Sequence, residues 1–345
     1  MNFQPTEEQE MLRQSLRTAF ARAGQGADGG MALTGLEILG LLVPEDLGGN
    51  GLGMSEATIV LNEAGRAGAT GDLAAHMLCT EALIRALPEL ANDALCGKTI
   101  LAMPVSGELV ATEGRLSGEV LVAMAESANT RDLWLAAPVD GQDEIALIPL
   151  VDLPCEVCEA LEVGRVLRRY RLDLLKEQVA GSTLHGLRER LALMHCAEML
   201  GAAEKALEMA IGYLKERRQF GQPIGANQAL RHIAADCYVT IENAKIAVEL
   251  AAVALDASAD SADMLCVNVD KAVATALAYV PKAARETVET AIHLHGGIGL
   301  TWDYGLNAPL RRIVHLTMGF EAPAHWHGIL CDLYRADIQN SKARP

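Results

Sequence analysis

Aromatic residues make up only 4% of this 345-residue chain, while hydrophobic residues make up half of it. A large core is therefore available, but it must be built from aliphatic and alanine-rich helix packing rather than from stacked rings. Basic residues are outnumbered, 29 against 45 acidic ones, and the formal net charge is -16. A surface of that sign repels nucleic acid and anionic membranes. It still leaves room for an anionic ligand wherever basic groups gather locally. No apolar run reaches the length that crosses a bilayer. The cysteines are scattered, and Cys155 and Cys158 form a lone CxxC. Zinc binding needs a second pair, and redox catalysis favours a helix N-terminus, whereas Asp152 to Cys158 reads as a strand or loop. These two are expected to be reduced, structural thiols. The first residues, Met1 to Glu8, are polar and acidic, so the expectation is a chain without a secretory leader that works in the reducing cytoplasm. His325-Trp326-His327 puts two histidines on different sides of a helix, with no carboxylate or cysteine to complete a set. No metal site is expected there.

Thr6 reads as an N-cap with Glu7 and Glu8 in the first turn, and Met11, Leu12 and Leu16 recur at helical spacing. A helix is expected over 6–23. A turn-rich loop, Val43 to Leu52, precedes helices expected at about 55–67, 70–87 and 90–96. The texture changes near Lys98. Residues 100–180 are short apolar runs broken by Gly, Pro and Asp, with strand-like stretches at 133–137 and 145–150. From Leu184 the pattern is helical again, at about 184–217, 227–257, 262–294 and 308–336. The expected fold is mainly α: an N-terminal helical domain over 1–98, a small central β domain over 99–182, and a C-terminal four-helix bundle over 183–345.

Two motifs stand where long helical patterns break. Glu216-Arg217-Arg218-Gln219-Phe220-Gly221-Gln222-Pro223-Ile224 is followed by Gln228. An arginine at such a break can offer a planar, permanently charged fork to a diphosphate, although a basic residue at a helix C-terminus is also favourable by itself. Downstream, His293-Leu294-His295-Gly296-Gly297-Ile298-Gly299 ends another helix. Glycines there permit positive φ and close approach by a ligand, and they are also ordinary helix stops.

Taken together, residues 213–228 resemble the signature in the C-terminal bundle of the acyl-CoA dehydrogenase family, and residues 293–299 resemble its glycine turn, QxxGGxG. Leu47 to Leu52, Glu63 to Arg66 and Leu95 to Lys98 are similar to further stretches of the family, so the likeness runs from about residue 6 to 335. It implies an FAD enzyme that holds its cofactor between the β domain and the C-terminal helices, with part of it contacted by a neighbouring subunit. By position, Arg217, Gln219, Phe220 and Gln228 would contact FAD, and so would His293, Gly296 and Gly297, from the other side of a dimer interface. The implied reaction is α,β-dehydrogenation of an acyl-CoA thioester: a carboxylate takes the α-proton and the β-hydrogen leaves as hydride to the flavin. Electrons then pass to an electron-transfer flavoprotein.

The chain departs from the family's pattern around that chemistry. Glu321, in Gly319-Phe320-Glu321-Ala322-Pro323, is the candidate base, but Ala322-Pro323 stands where the family has Gly-Thr. The alternative base position falls near Leu191, which has no proton-accepting group. His293 replaces the glutamine of the glycine turn. Leu101 to Gly107 stands in place of the stretch that normally covers the flavin ring and the thioester. Some short members of the family pair with a longer sister chain in a heterotetramer, sharing flavin sites, and such enzymes act on bulky CoA thioesters that include steroid side chains. Two readings follow: a whole acyl-CoA dehydrogenase or catalytic subunit with Glu321 as base, or a non-catalytic partner that completes the FAD site of a longer sister. In either, a homo- or hetero-tetramer is expected.

Overall fold

The first helix shows how local chemistry sets the boundaries. In the computed structural model, which describes residues 5–24, 33, 36–126, 133–140, 143–260, 268–319 and 322–342, α1 spans Glu7–Ala23. The Thr6 hydroxyl accepts from the Gln9 amide, and the Gln9 side chain accepts from the Thr6 amide, closing a capping box. Next come α2 (Met54–Ala67), α3 (Leu73–Ala86) and the short α4 (Ala91–Leu95). Asp72 caps α3 by accepting from Ala75.

Residues 100–183 form two packed sheets. One has the order β1 (Ile100–Ala102), β5 (Leu133–Pro138), β6 (Glu144–Pro149), β9 (Ala180–Thr183), with β1 parallel to β5. The other runs β2 (Pro104–Ser106), β4 (Arg115–Ala125), β8 (Arg165–Leu175), β7 (Glu156–Cys158), with β3 (Val110–Thr112) paired to β4. Period-two alternation divides β6: Ala146 and Ile148 face the second sheet, while Ile145 and Leu147 join the helical core. Both faces of β6 are buried, which is why it reads as one unbroken apolar run. The outer face of β8 is charged, with Arg169 and Arg171 paired to Glu119 and Glu156. Cys155 lies against Arg168, and Cys158 pairs in register with Leu167, on the other face of β8. The two thiols thus point to opposite sides. Both are free, as are Cys79, Cys96, Cys196, Cys237 and Cys331.

The C-terminal bundle consists of α5 (Leu187–Glu216), α6 (Gln228–Asp260), α7 (Val269–His295) and α9 (Pro323–Lys342), with α8 (Asn307–Leu316) crossing α5 and α7. The helix expected over 308–336 is broken. A 3-10 turn, Thr317–Gly319, ends the first part, and Pro323 opens the second, a position where its missing N–H costs nothing. The stretch 261–267, expected to begin a helix, lies outside the described residues. Small residues set the spacing between domains. A Cβ on Gly65 would sit 2.0 Å from the Glu198 carbonyl oxygen, and one on Gly201 would sit 1.9 Å from that of Asn62. Hence α2 and α5 cross with their backbones in contact, which suits a core poor in rings. Among the described residues, no helix is long and apolar enough to cross a membrane.

Candidate cofactor-binding site

The first motif folds into a hairpin at the end of α5. Arg217 leaves the helix with extended backbone, its amide still bonded to the Tyr213 carbonyl at 2.9 Å. Arg218–Gln219 pairs antiparallel with Gln222–Pro223. Between them Phe220 and Gly221 both have positive φ, 50° and 82°. That is the primed turn a two-residue hairpin demands, easy for Gly221 and unusual for a bulky side chain. Phe220 is also 100% exposed. An aromatic ring held out in solvent on strained backbone points to a contact outside the chain. Asn227 caps the next helix through Ala229, and Gln228 is its first, exposed residue.

The second motif arrives at the same place. At the end of α7, Gly296 adopts φ 63°, ψ -143°, a conformation that belongs to glycine. A Cβ on Gly296 or Gly297 would meet nothing within 4 Å, so the turn presents open backbone. His293 is exposed beside it. Buried His295 stacks on Tyr213, with centroids 4.6 Å apart and 28° between the planes. Its Nδ1 faces the Ala291 carbonyl at 2.6 Å and its Nε2 faces the Tyr304 hydroxyl at 3.1 Å. Nδ1 therefore carries the proton, and Nε2 accepts from Tyr304. Tyr213 is one turn from Arg217, and His295 adjoins Gly296, so this stack binds the two motifs into one surface of one chain. The sequence reading had put them on opposite sides of an interface. Arg217 and Arg218 give this corner positive charge on an otherwise acidic chain.

The positions that family resemblance assigns to the flavin ring and thioester meet elsewhere. Met103, Pro104 and Val105, together with Leu191 and Gly319, line a cleft between the β domain, α5 and α8. It encloses about 20 Å³, room for about one water, where ligand sites run to hundreds. Charged side chains occupy it. Arg312 of α8 donates to Glu198 of α5, 2.7 Å from Nε, and pairs with Glu162 at 3.3 Å. Arg165 pairs with Glu162 at 3.0 Å and donates to the Gly71 carbonyl at 2.7 Å. Asp72 accepts from the Met103 amide at 3.1 Å. This knot joins all three parts of the molecule. Burial raises the Asp72 and Glu198 carboxyl pKa values, with the arginines opposing. It pushes Arg165 down to about 10, helped by Arg312. For Arg312 burial acts against the charge, but Glu198 and Glu162 outweigh it and its pKa is raised. His195 and His315 are driven down to about 3, by burial first and the arginines second, and stay neutral.

The candidate base Glu321 lies outside the described residues, as does Phe320. Gly319 stands at the cleft wall with His195, and a Cβ built on it would lie 3.9 Å from the His195 ring. The cleft and the motif surface are set apart by α5: from His195 to Arg217 the helix rises roughly 33 Å, farther than one dinucleotide spans. The FAD fit is thus divided. The hairpin and glycine turn offer an open basic cradle, whereas the cleft has no space for a flavin ring. A larger open groove of about 830 Å³ lies at the other end of α5, beside Asp143, Ser182, His185 and Arg188. Asp143 is engaged there in pinning the β9–α5 joint, accepting from the Gly186 amide at 3.2 Å and facing His185. Neither motif reaches that groove. Sequence reasoning missed the ion-pair knot, whose one visible signal was Glu198 amid the apolar run Leu191 to Leu200.

Comparison with known proteins agrees with this geometry. Residues 30–103 match the family described as acyl-CoA dehydrogenase, N-terminal domain, and residues 180–319 match acyl-CoA dehydrogenase, C-terminal domain. Acyl-CoA dehydrogenase IpdE2 of Mycobacterium tuberculosis is 29% identical over 344 residues, covering 92% of this chain and 95% of its own. Acyl-CoA dehydrogenase FadE34 of the same organism is also 29% identical, over 81% of this chain and 38% of its own. Among solved structures, a variant of the steroid ACAD Tcur3481-Tcur3483 superposes with a TM-score of 0.79 at 22% identity, covering 96% of this chain and 99% of that one. The ChsE4-ChsE5 complex from Mycobacterium tuberculosis gives 0.76 at 22% identity, with both chains covered in full.

Proposed function

The chain belongs to the acyl-CoA dehydrogenase family, oxidoreductases acting on CH–CH bonds with FAD as cofactor, and from that premise we propose that it works as one subunit of a heteromeric enzyme. The observation that carries this reading is the filled cleft. A chain whose cleft has room for one water keeps intact the surface that meets the other end of the cofactor. In this reading Arg217 offers its fork to the FAD diphosphate, and Gln219 and Gln228 add amide contacts. Phe220 packs against the cofactor from the hairpin tip. His293 and the open backbone of Gly296 and Gly297 complete the cradle. The pocket for the flavin ring and the carboxylate base come from a longer sister chain. When bound, FAD supplies the acceptor for the substrate's β-hydrogen.

The substrate is a bulky acyl-CoA thioester such as a steroid side chain, a reading supported by the steroid and two-component relatives. An electron-transfer flavoprotein takes the electrons, and the assembly works in the cytoplasm.

The visible spectrum tests the proposal. The chain purified alone is expected to be colourless, and the complex with its sister to carry about one FAD per sister chain. A flavin band on this chain alone overturns the reading. Glu321→Gln separates it from the whole-enzyme alternative: turnover of the complex is expected to persist, and its loss would make Glu321 the base.

A further inference from the structure

Helix α8 carries two adjacent arginines that lead in different directions. Arg312 turns inward to Glu198 and Glu162 and is nearly fully buried. Arg311 lies outside. Its guanidinium sits 3.9 Å over the ring of Trp302, and its Nη1 lies 3.4 Å from the Leu161 carbonyl. Trp302 opens the short turn that follows Gly296–Leu300 and is 61% exposed. So the loop at 161–165 is tied to α8 at both arginines, and α8 is tied through Trp302 to the glycine turn.

We infer that Arg311 is a positioning residue: it transmits the docking of the β domain on α8 to the glycine turn, and so sets the shape of the surface offered to the cofactor. This rests on the reading above, in which that surface serves FAD. One guanidinium can do both jobs because its flat face stacks on an indole while its edge N–H groups reach a carbonyl. Charge alone would contribute little at a half-buried surface position. The clamped neighbour supplies the fixed point. Arg312 is held by α5 and by the β domain, so α8 cannot rotate without breaking buried ion pairs, and Arg311 is kept over Trp302.

Hydrogen exchange on the purified chain tests this at the amides of Thr301 and Gly305, which are bonded to the Ile298 and Trp302 carbonyls at 3.1 and 3.2 Å. Arg311→Ala is expected to speed exchange there about fivefold, the effect of losing a cation–π contact of ordinary strength. The β strands and the melting temperature should not change. Arg311→Lys should recover part of the protection, because it keeps a cation over the ring. Trp302→Leu combined with Arg311→Ala should be no worse than either alone, since both remove one contact. In the complex, FAD release should accelerate by a similar factor in Arg311→Ala. Unchanged exchange at 301 and 305, no recovery with lysine, or additive effects overturn the coupling. Altered exchange with unaltered FAD release overturns its role toward the cofactor. Flavin bound by the chain alone would instead overturn the heteromeric reading and leave the exchange result standing.

Discussion

Replacing Arg312 by methionine removes the centre of the buried knot. The Arg312 side chain is 7% exposed and that of Glu198 4%, so water cannot take over the lost pairing. Glu198 would be left with Arg165 as its remaining nearby cation, and Glu162 would lose one of two partners. Breaking a buried pair from one side costs about 3–5 kcal/mol. Unfolding entropy of roughly 2.1 cal/mol/K per residue over this chain comes to roughly 0.7 kcal/mol/K. The expected fall in melting temperature is therefore about 4–7 °C. Two controls sharpen the test. Glu198→Leu added to Arg312→Met should restore much of the loss, because an apolar pair of similar bulk buries no charge. The deficit should also shrink as pH falls. Glu198 has a raised folded pKa, so its charged form becomes an increasing burden as pH rises, and protonation relieves it. Differential scanning calorimetry at pH 7.5 and 5.5 reads both. A loss below about 1 °C, or a double variant worse than the single one, would refute the view that the cleft is held shut by buried charge pairing.

Three further outcomes follow from the same geometry. Arg217→Ala should strip FAD from the complex while leaving the melting temperature of the chain alone unchanged, because the side chain is exposed; an intact flavin spectrum after gel filtration would place the diphosphate elsewhere. Acid should destabilise the fold early: His76, at about 4, and His195 and His315, at about 3, stay neutral when folded but take up protons near pH 6.5 when unfolded. Stability is then lost as pH drops below about 6.5, by roughly 1.4 kcal/mol per pH unit for each histidine, and His315→Gln should flatten a urea-melt pH series by about a third; an unchanged slope would count against it. Gly201→Ala should cost about 1–3 kcal/mol despite alanine's better helix propensity, since the new methyl meets the Asn62 carbonyl oxygen and no rotamer relieves it; a stability gain in denaturant titration would show that α2 and α5 can separate freely.

Most of the helical framework was legible because periodicity and caps are local. Thr6 with Gln9, and the Arg217 and Gly296 breaks, fall close to where the pattern predicts. The split of 308–336 was also written in Gly319 and Pro323, although amphipathic spacing on both sides hid it. What stayed unread lies between residues far apart in the chain. Gly53 has no side chain to cap α2, and the cap comes from Asp256 on α6, which accepts from the amides of Met54 at 2.6 Å and Ser55 at 3.0 Å. The close approach of Gly65 to Glu198 and of Gly201 to Asn62, and the pairing of Arg312 with Glu162 and Glu198, are likewise long-range. The candidate site was half legible: both motifs were found, but their union through Tyr213, His295 and Tyr304 depends on two helices ending side by side. The filled cleft was visible only as family residues that were missing.

The length of α5 has a consequence for how such an enzyme can change. One end of the helix borders the cleft and the other carries the hairpin, so on the proposed reading a chain of this fold would hold two halves of different cofactor sites rather than one whole site. In a symmetric pair both halves are used twice, and damage to either is felt. In an unlike pair, one working cleft and one working cradle already make a complete centre. The spare cleft is then free to fill with packing and ion pairs that stabilise the fold, while the spare cradle on the sister is free to drift. A long rigid helix thus permits two copies to divide their labour by substitution alone, with no change of fold.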